Sequence, residues 1–334
     1  MSAKKTIKGK IIGFIILFII LLIAAFVVFV IRYPYYPPKY VTSSSNGAIA
    51  VNQDTHASQG FGLDSARVDS QITLQIPEGQ ADAVYKYLKD KYVGQDNILK
   101  EQFSTLQLQG EKMSDLSIFT DDYYDTPWLD LYNNQNSARY RIRLNTTNPL
   151  DAKSGRELVQ IKVTPPGQFD TRAELKYQVN SFKKMNIEFD DLHPFIGLVV
   201  KKERADFKKV FQAADINPYQ LRKVFTLTQN RRRVYIDWDQ TNILSISVDQ
   251  GGAGLLWAKS QFSSIDVGLV EVAYTEADAA KRQTLGAIRS AVLKDLTDHF
   301  PELTVNTDSK YGIILTGLIQ QIHAIPWLMK YNIL

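Results

Sequence analysis

Arg139-Tyr140-Arg141-Ile142-Arg143-Leu144 sets three arginines on one side of an extended chain and Tyr140, Ile142 and Leu144 on the other. A period of two marks a strand with one polar and one packed face, because successive side chains of extended backbone point to opposite sides. The same alternation recurs outward from this stretch. Upstream, Gln71, Thr73 and Gln75 oppose Ile72, Leu74 and Ile76. Downstream, Leu158, Gln160 and Lys162 oppose Val159, Ile161 and Val163, while Arg172, Glu174 and Lys176 oppose Ala173, Leu175 and Tyr177. Arg231, Arg233, Tyr235 and Asp237 oppose Arg232, Val234 and Ile236. Ser245, Ser247 and Asp249 oppose Ile246 and Val248, and Glu271 opposes Val270 and Val272 as in a late strand.

Helical patterns punctuate these strands. Residues 80–91 and 201–214 are amphipathic, and 276–300 carries Leu285, Ile288, Val292 and Leu296 at helical spacing. The sum is the α+β class, an antiparallel sheet or barrel with packed helices. With no internal repeat and no second linker, residues 67–334 read as one domain. The apolar stretch 317–334 is too short and interrupted for a membrane span; it packs on the domain or touches the membrane surface.

Residues 11–31 form a run of 21 residues with no charge. At 1.5 Å per residue such a helix spans about 30 Å, the thickness of a bilayer core. Lys4, Lys5, Lys8 and Lys10 precede it, and only Arg32 and Lys39 follow closely. The positive-inside bias therefore predicts a cytoplasmic tail at 1–10, a single transmembrane helix at 11–31 and an extracytoplasmic remainder. Residues 32–66 begin with prolines, continue rich in Ser, Gly, Asn and Gln, and read as a tether.

The chain has no cysteine, which removes disulfides, thiolate metal sites and cysteine nucleophiles. Its four histidines are scattered without ligand spacing. The net charge of +4 is modest for 334 residues and does not point to nucleic acid. The placement of charge says more. Arg139, Arg141, Arg143, Lys162, Arg172, Lys176, Arg231 and Arg233 outnumber the acidic Glu174, Asp237, Asp249 and Glu271 on the strand faces. One explanation is an antiparallel sheet with one face in water. The other is a closed lining that repels itself until an anion sits in it; the planar fork of arginine suits phosphate oxygens, and a phosphate chain is the natural guest.

The segment Tyr123-Tyr124-Asp125-Thr126-Pro127-Trp128-Leu129-Asp130-Leu131-Tyr132, followed by Tyr140-Arg141-Ile142-Arg143, resembles the CYTH superfamily, the triphosphate tunnel metalloenzymes, which include polyphosphate-polymerase-like relatives. Lys162, the Arg172-Ala173-Glu174 triplet, Arg231 to Arg233, Asp249 and a final Ser309-Lys310-Tyr311 follow in an order similar to the family's. The resemblance implies an antiparallel eight-stranded tunnel with flanking helices. It implies phosphate-binding roles for Arg141, Arg143, Lys162, Arg172 and Arg231 or Arg233, and metal-ligand roles for Glu174, Asp249 and Glu271, with Mg²⁺ or Mn²⁺ as the metal. No catalytic residue is assigned. Where the family opens with an E-x-E-x-K strand, this chain has Gln71-Ile72-Thr73-Leu74-Gln75, and Ala273 stands two residues after Glu271.

The cationic half of the site is thus better kept than the acidic half. The expected function is a membrane-anchored extracytoplasmic domain that binds polyphosphate or another polyanion with weak or no catalysis. A metal-dependent tri- or polyphosphatase, or a polyphosphate polymerase, is the second reading; a structural domain with protein partners in a surface assembly is the third. Asp121-Asp122 is expected in an exposed turn, Trp128 and Trp238 in packing, and Gly251 to Gly254 in a hairpin connection.

Overall fold

Ten strands form one sheet in the computed structural model, which describes residues 67–93, 98–112, 116–144, 156–164, 171–180 and 189–331. They are β1 (Arg67–Gln75), β2 (Leu108–Lys112), β3 (Ser117–Asp125), β4 (Ser137–Leu144), β5 (Arg156–Val163), β6 (Thr171–Tyr177), β7 (Arg222–Trp238), β8 (Thr241–Leu255), β9 (Ala258–Leu269) and β10 (Thr304–Asn306). The order β1-β6-β5-β4-β3-β7-β8-β9 returns to β1 through the β1–β9 pairing, so eight antiparallel strands close on themselves. β10 and β2 extend β1 and β7 beyond the closed ring. The closed antiparallel tunnel with flanking helices is therefore present. The predicted tail, transmembrane run and tether, residues 1–66, lie outside the described residues; among the described residues no helix is long and apolar enough to cross a membrane.

Closure turns each strand's two faces into an inside and an outside. Ile72, Leu74, Ile246, Val248, Ile265 and Val267 face outward and are almost fully buried beneath two helices, Ala81–Tyr92 and Ala279–His299. Leu285, Ile288, Val292 and Leu296 of the second helix are wholly buried, as their spacing requires. That helix starts at Ala279, three residues later than its pattern suggests, because the Asp278 side chain accepts from the Lys281 N–H at 2.7 Å and caps it. On the opposite flank, Val159, Ile161 and Leu175 pack against Phe207 and Phe211 of the helix Arg204–Ala213. A single 3-10 turn, Lys201–Glu203, replaces the predicted first helical turn there.

A third core lies at one end of the barrel itself. Tyr123, Phe225, Ala253 and Phe262 pack against Tyr311, Ile314, Leu315 and Leu318 of the helix Lys310–Gln321. Ser309 caps this helix, accepting from the Gly312 N–H at 3.0 Å. The apolar C-terminal stretch thus packs on the domain.

Three expectations are corrected here. Gly251, Gly252 and Gly254 lie inside β8, and the hairpin tip is Leu256-Trp257. A Cβ on Gly251 would stand 2.8 Å from the Thr228 carbonyl oxygen and 2.8 Å from Phe262 Cε1, so close strand and ring packing demands the glycine. Asp121 is not in a turn: it lies in β3 with no exposed surface, because its strand crosses the barrel wall. Trp128 is 54% exposed rather than packed.

Candidate functional site

The inward faces of the strands enclose a cavity of about 440 Å³. Among the described residues nine cationic side chains line it: Arg139, Arg141 and Arg143 from β4, Lys162 from β5, Arg172 and Lys176 from β6, Arg231 and Arg233 from β7, and Lys310 from the capping helix. Four carboxylates line it with them, from Asp69, Glu174, Asp266 and Glu271. Asp121 and Asp249 are buried in the wall behind the arginines. Positive charge stays in excess by three even with all six acids ionised.

The carboxylates hold particular cations. Asp121 takes both prongs of Arg141, at 2.6 Å each, and Arg139 at 3.1 Å. Arg139 is fixed further by Gln160 and by the Tyr123 hydroxyl, the latter at 3.0 Å. Asp249 takes both prongs of Arg231 and the Lys310 ammonium. Lys310 also meets Asp266 at 2.7 Å, and Thr73 donates to the other Asp266 oxygen at 2.9 Å. Lys162 pairs with Asp69 and lies 3.5 Å from Glu174. Buried charges persist only when partnered in this way.

Three arginines stand apart, because their partners are neutral. Arg143 donates to Ser117 Oγ at 3.0 Å and lies over the Phe119 ring. Arg233 donates to Ser247 Oγ at 2.9 Å and to the Tyr235 hydroxyl at 2.6 Å. Arg172 donates to the Thr307 carbonyl at 3.1 Å, and its buried Nε has no partner. Burial pulls the Arg172 guanidinium below its usual proton affinity, and burial with neighbouring Arg231 does the same to Arg233. Lys310 is lowered too, first by burial, although Asp249 and Asp266 oppose the shift. At Arg233 and Lys310 the charge of Arg231 adds to burial, a repulsion that an anion in the bore would relieve.

Glu174, Lys176 and Glu271 form the remaining cluster. Lys176 Nζ stands 2.6 Å from Glu174 and 2.8 Å from Glu271. Burial, then the hydrogen bond and charge of Glu174, push the Glu271 carboxyl up to about 7. Burial opposes ionisation of Glu174, but Lys162, the Glu271 hydrogen bond and Lys176 outweigh it and hold Glu174 below the usual range. Below neutrality Glu271 therefore carries the proton of this pair, while Glu174 is ionised.

Arg141, Arg143, Lys162, Arg172, Arg231, Arg233, Glu174 and Glu271 all reach the cavity. Glu271 does so from the first turn of the helix Glu271–Thr275 rather than from a strand, because β9 ends at Leu269 and the chain turns at Val270. Asp249 does not join the two glutamates: it sits under Arg231 and Lys310. Asp237 shares its strand's parity, but Tyr235 is the last β7 residue in the lining, and Asp237 lies beyond it where β7 pairs with β2. Among the described residues no three His, Asp or Glu side chains gather around a common point. Between Glu174 and Glu271 the position open to a cation holds the Lys176 ammonium. As arranged, these donors do not fit a hard divalent cation, which needs several oxygen ligands.

Some lining residues were not singled out from sequence. Parity puts Arg139 and Lys176 on the cationic faces, but the resemblance gives neither a ligand role. Asp69 continues the Gln71-Thr73-Gln75 face by two residues, and Ser264-Asp266-Gly268 alternates with Ile265 and Val267. Nothing in the local pattern of Ser309-Lys310-Tyr311 shows that Lys310 enters a barrel.

No family model matches the chain, and no curated protein does. Among solved structures it is similar to a protein from Pyrococcus horikoshii, at 12% identity and a TM-score of 0.41 over 74% of this chain and 98% of that one. It is also similar to a Hippeastrum protein reported with a dominant triphosphatase activity, at 13% identity and a TM-score of 0.38, covering 75% and 96% of the two chains. A third is the Mimivirus capping enzyme triphosphatase, at 9% identity and a TM-score of 0.31, covering 72% and 93%. The likeness is one of fold alone; what the bore can do follows from its own side chains.

Proposed function

We propose that this chain is a membrane-anchored, extracytoplasmic tunnel domain of the triphosphate-tunnel type that binds a phosphate chain or a similar polyanion, with little or no catalysis. The observation that carries the reading is the division of the lining. Its carboxylates are held by lysines and arginines, while among the described residues Arg143, Arg172 and Arg233 hydrogen-bond only to neutral groups, with Asp69, Asp266 and Asp308 acting on Arg172 at longer range. Phosphate oxygens would supply the charge-assisted hydrogen bonds that these guanidinium groups lack. The capping helix closes one end of the barrel with apolar side chains, so a phosphate chain would enter by its end rather than thread through. The uncharged run 11–31 with its lysine-rich N-terminal flank supports the anchor and its orientation.

The test is calorimetric titration of the full-length chain in detergent micelles with tripolyphosphate and long-chain polyphosphate, with and without Mn²⁺, with assay of released phosphate. Salt-sensitive binding without turnover supports the binding module. Mn²⁺-dependent phosphate release would instead make it an enzyme. No binding in any arm would leave a scaffold for protein partners.

A further inference from the structure

Three separated segments bring aromatic side chains to the surface around one packed cluster. Leu129, Ala258 and Leu328 belong to that cluster, and their neighbours Trp128, Trp257 and Trp327 lie beside it in sequence. Trp128 is 54% exposed, Leu256 60%, Trp257 72% and Tyr331 56%. Lys330 lies over the Trp128 ring at 4.7 Å and over Tyr331 at 5.5 Å, and Trp327 meets Tyr331 at 5.1 Å between ring centroids. Gln321 donates to the Lys259 carbonyl at 2.6 Å, which ties the end of the capping helix to the β8–β9 hairpin. Neither the hairpin tip, residues 254–259, nor the helix Ile325–Lys330 contains an acidic residue, whereas Lys259 and Lys330 stand in them.

We propose that this aromatic face is a membrane-docking surface that seats the end of the barrel in the interfacial layer of the bilayer from which the chain is tethered. Tryptophan and tyrosine partition to that layer because their rings are apolar and their N–H and O–H groups find water or head groups. The two lysines suit anionic head groups. The tether makes this surface, rather than a soluble partner, the one always within reach. β1 runs antiparallel to β9 with Gln71 opposite Gly268, so the chain enters the barrel at the end of β9 remote from the hairpin tip. β9 has 12 residues, roughly 40 Å at strand rise. Residues 32–66 extend to at most about 120 Å, ample to run along the barrel and lay the far end on the membrane.

The inference rests on the anchor reading, and native tryptophans separate the two. The chain has four tryptophans, and the fourth, Trp238, packs against the core by Lys281, away from this face. The full-length Trp238→Phe variant is reconstituted into phosphatidylcholine vesicles containing phosphatidylglycerol, with plain or brominated acyl chains, and its flotation and emission are measured. Docking is expected to halve the emission, or more, in the brominated vesicles. A chain that floats with equal emission in both would overturn the docking surface while leaving the anchor. In that case, a dimeric mass in micelles would assign the face to a second copy of the chain. A chain that does not float removes the anchor and the docking surface together.

Discussion

Arg231 grips Asp249 with both edges of its guanidinium, Nε 2.6 Å from one carboxylate oxygen and Nη2 2.5 Å from the other. Asp249 has no exposed surface and also carries the Lys310 ammonium, so two cations share a single buried carboxylate, with Asp266 beside them. Arg141 and Asp121 repeat the arrangement on the neighbouring strands β4 and β3, and both arginines lie over the Phe119 ring. The tunnel wall is held at these points by ion pairs rather than by apolar contact. Loss of either acid would remove the bidentate partner of a buried arginine, and loss of Asp249 would leave Asp266 alone to face both Arg231 and Lys310.

The Asp249→Asn variant is accordingly expected to lose about 3–5 kcal/mol of stability, on the order of 10 °C in melting temperature. Saturating tripolyphosphate should restore part of that loss, because an anion in the bore replaces the missing charge. Thermal melts with and without the ligand check both halves.

Arg143→Ala and Arg233→Ala should behave in the opposite way. Neither change leaves a carboxylate unpaired, so stability without ligand should stay within about 1 kcal/mol of the parent. Affinity for tripolyphosphate should fall about tenfold for each, roughly 1.4 kcal/mol. The slope of log affinity against log salt should flatten as well. Calorimetric titration across a salt series reads both effects.

Glu271 sets a pH dependence. Its carboxyl rises from the ordinary 4.5 to about 7 on folding, so the folded protein holds a proton that the unfolded chain releases. Its contribution to stability is present below about 4.5 and is lost as the pH rises towards 7. Asp125, pushed up to about 6 chiefly by burial, acts in the same direction over an overlapping range. The melting temperature of Glu271→Gln, an amide that mimics the protonated acid, should therefore fall less between pH 5 and 7.5 than that of the parent. An equal fall in both proteins would remove Glu271 from this role.

The β7–β8 hairpin turns on Asp239 and Gln240, both in the left-handed region at φ 51° and 61°. Such a two-residue turn favours glycine at its second position. Gln240→Gly is expected to raise stability by about 1 kcal/mol, measured by denaturant unfolding, without affecting tripolyphosphate affinity.

The local pattern was enough for the strand faces. Extended backbone has a period of two wherever it occurs, so Ile72, Leu74, Val159 and Ile161 had to lie opposite Gln71, Gln160 and Lys162 before any pairing was known. The spacing of Leu285, Ile288, Val292 and Leu296 identified a buried helical stripe for the same local reason. What alternation could not reveal is which acids would meet which bases. Asp121 read as a turn residue because nothing beside it in sequence shows that Arg139 and Arg141 lie across a strand pairing from it. Glu271 read as a strand residue because its neighbours alternate, yet the last turn of chain before the helix carries it onto Lys176. Lys310 reaches Asp249 and Asp266 only because its helix caps the barrel. Register, closure and the seating of that helix are properties of contacts between distant segments. They decided that the carboxylates became counter-ions and that Arg143, Arg172 and Arg233 were left facing the cavity with neutral partners.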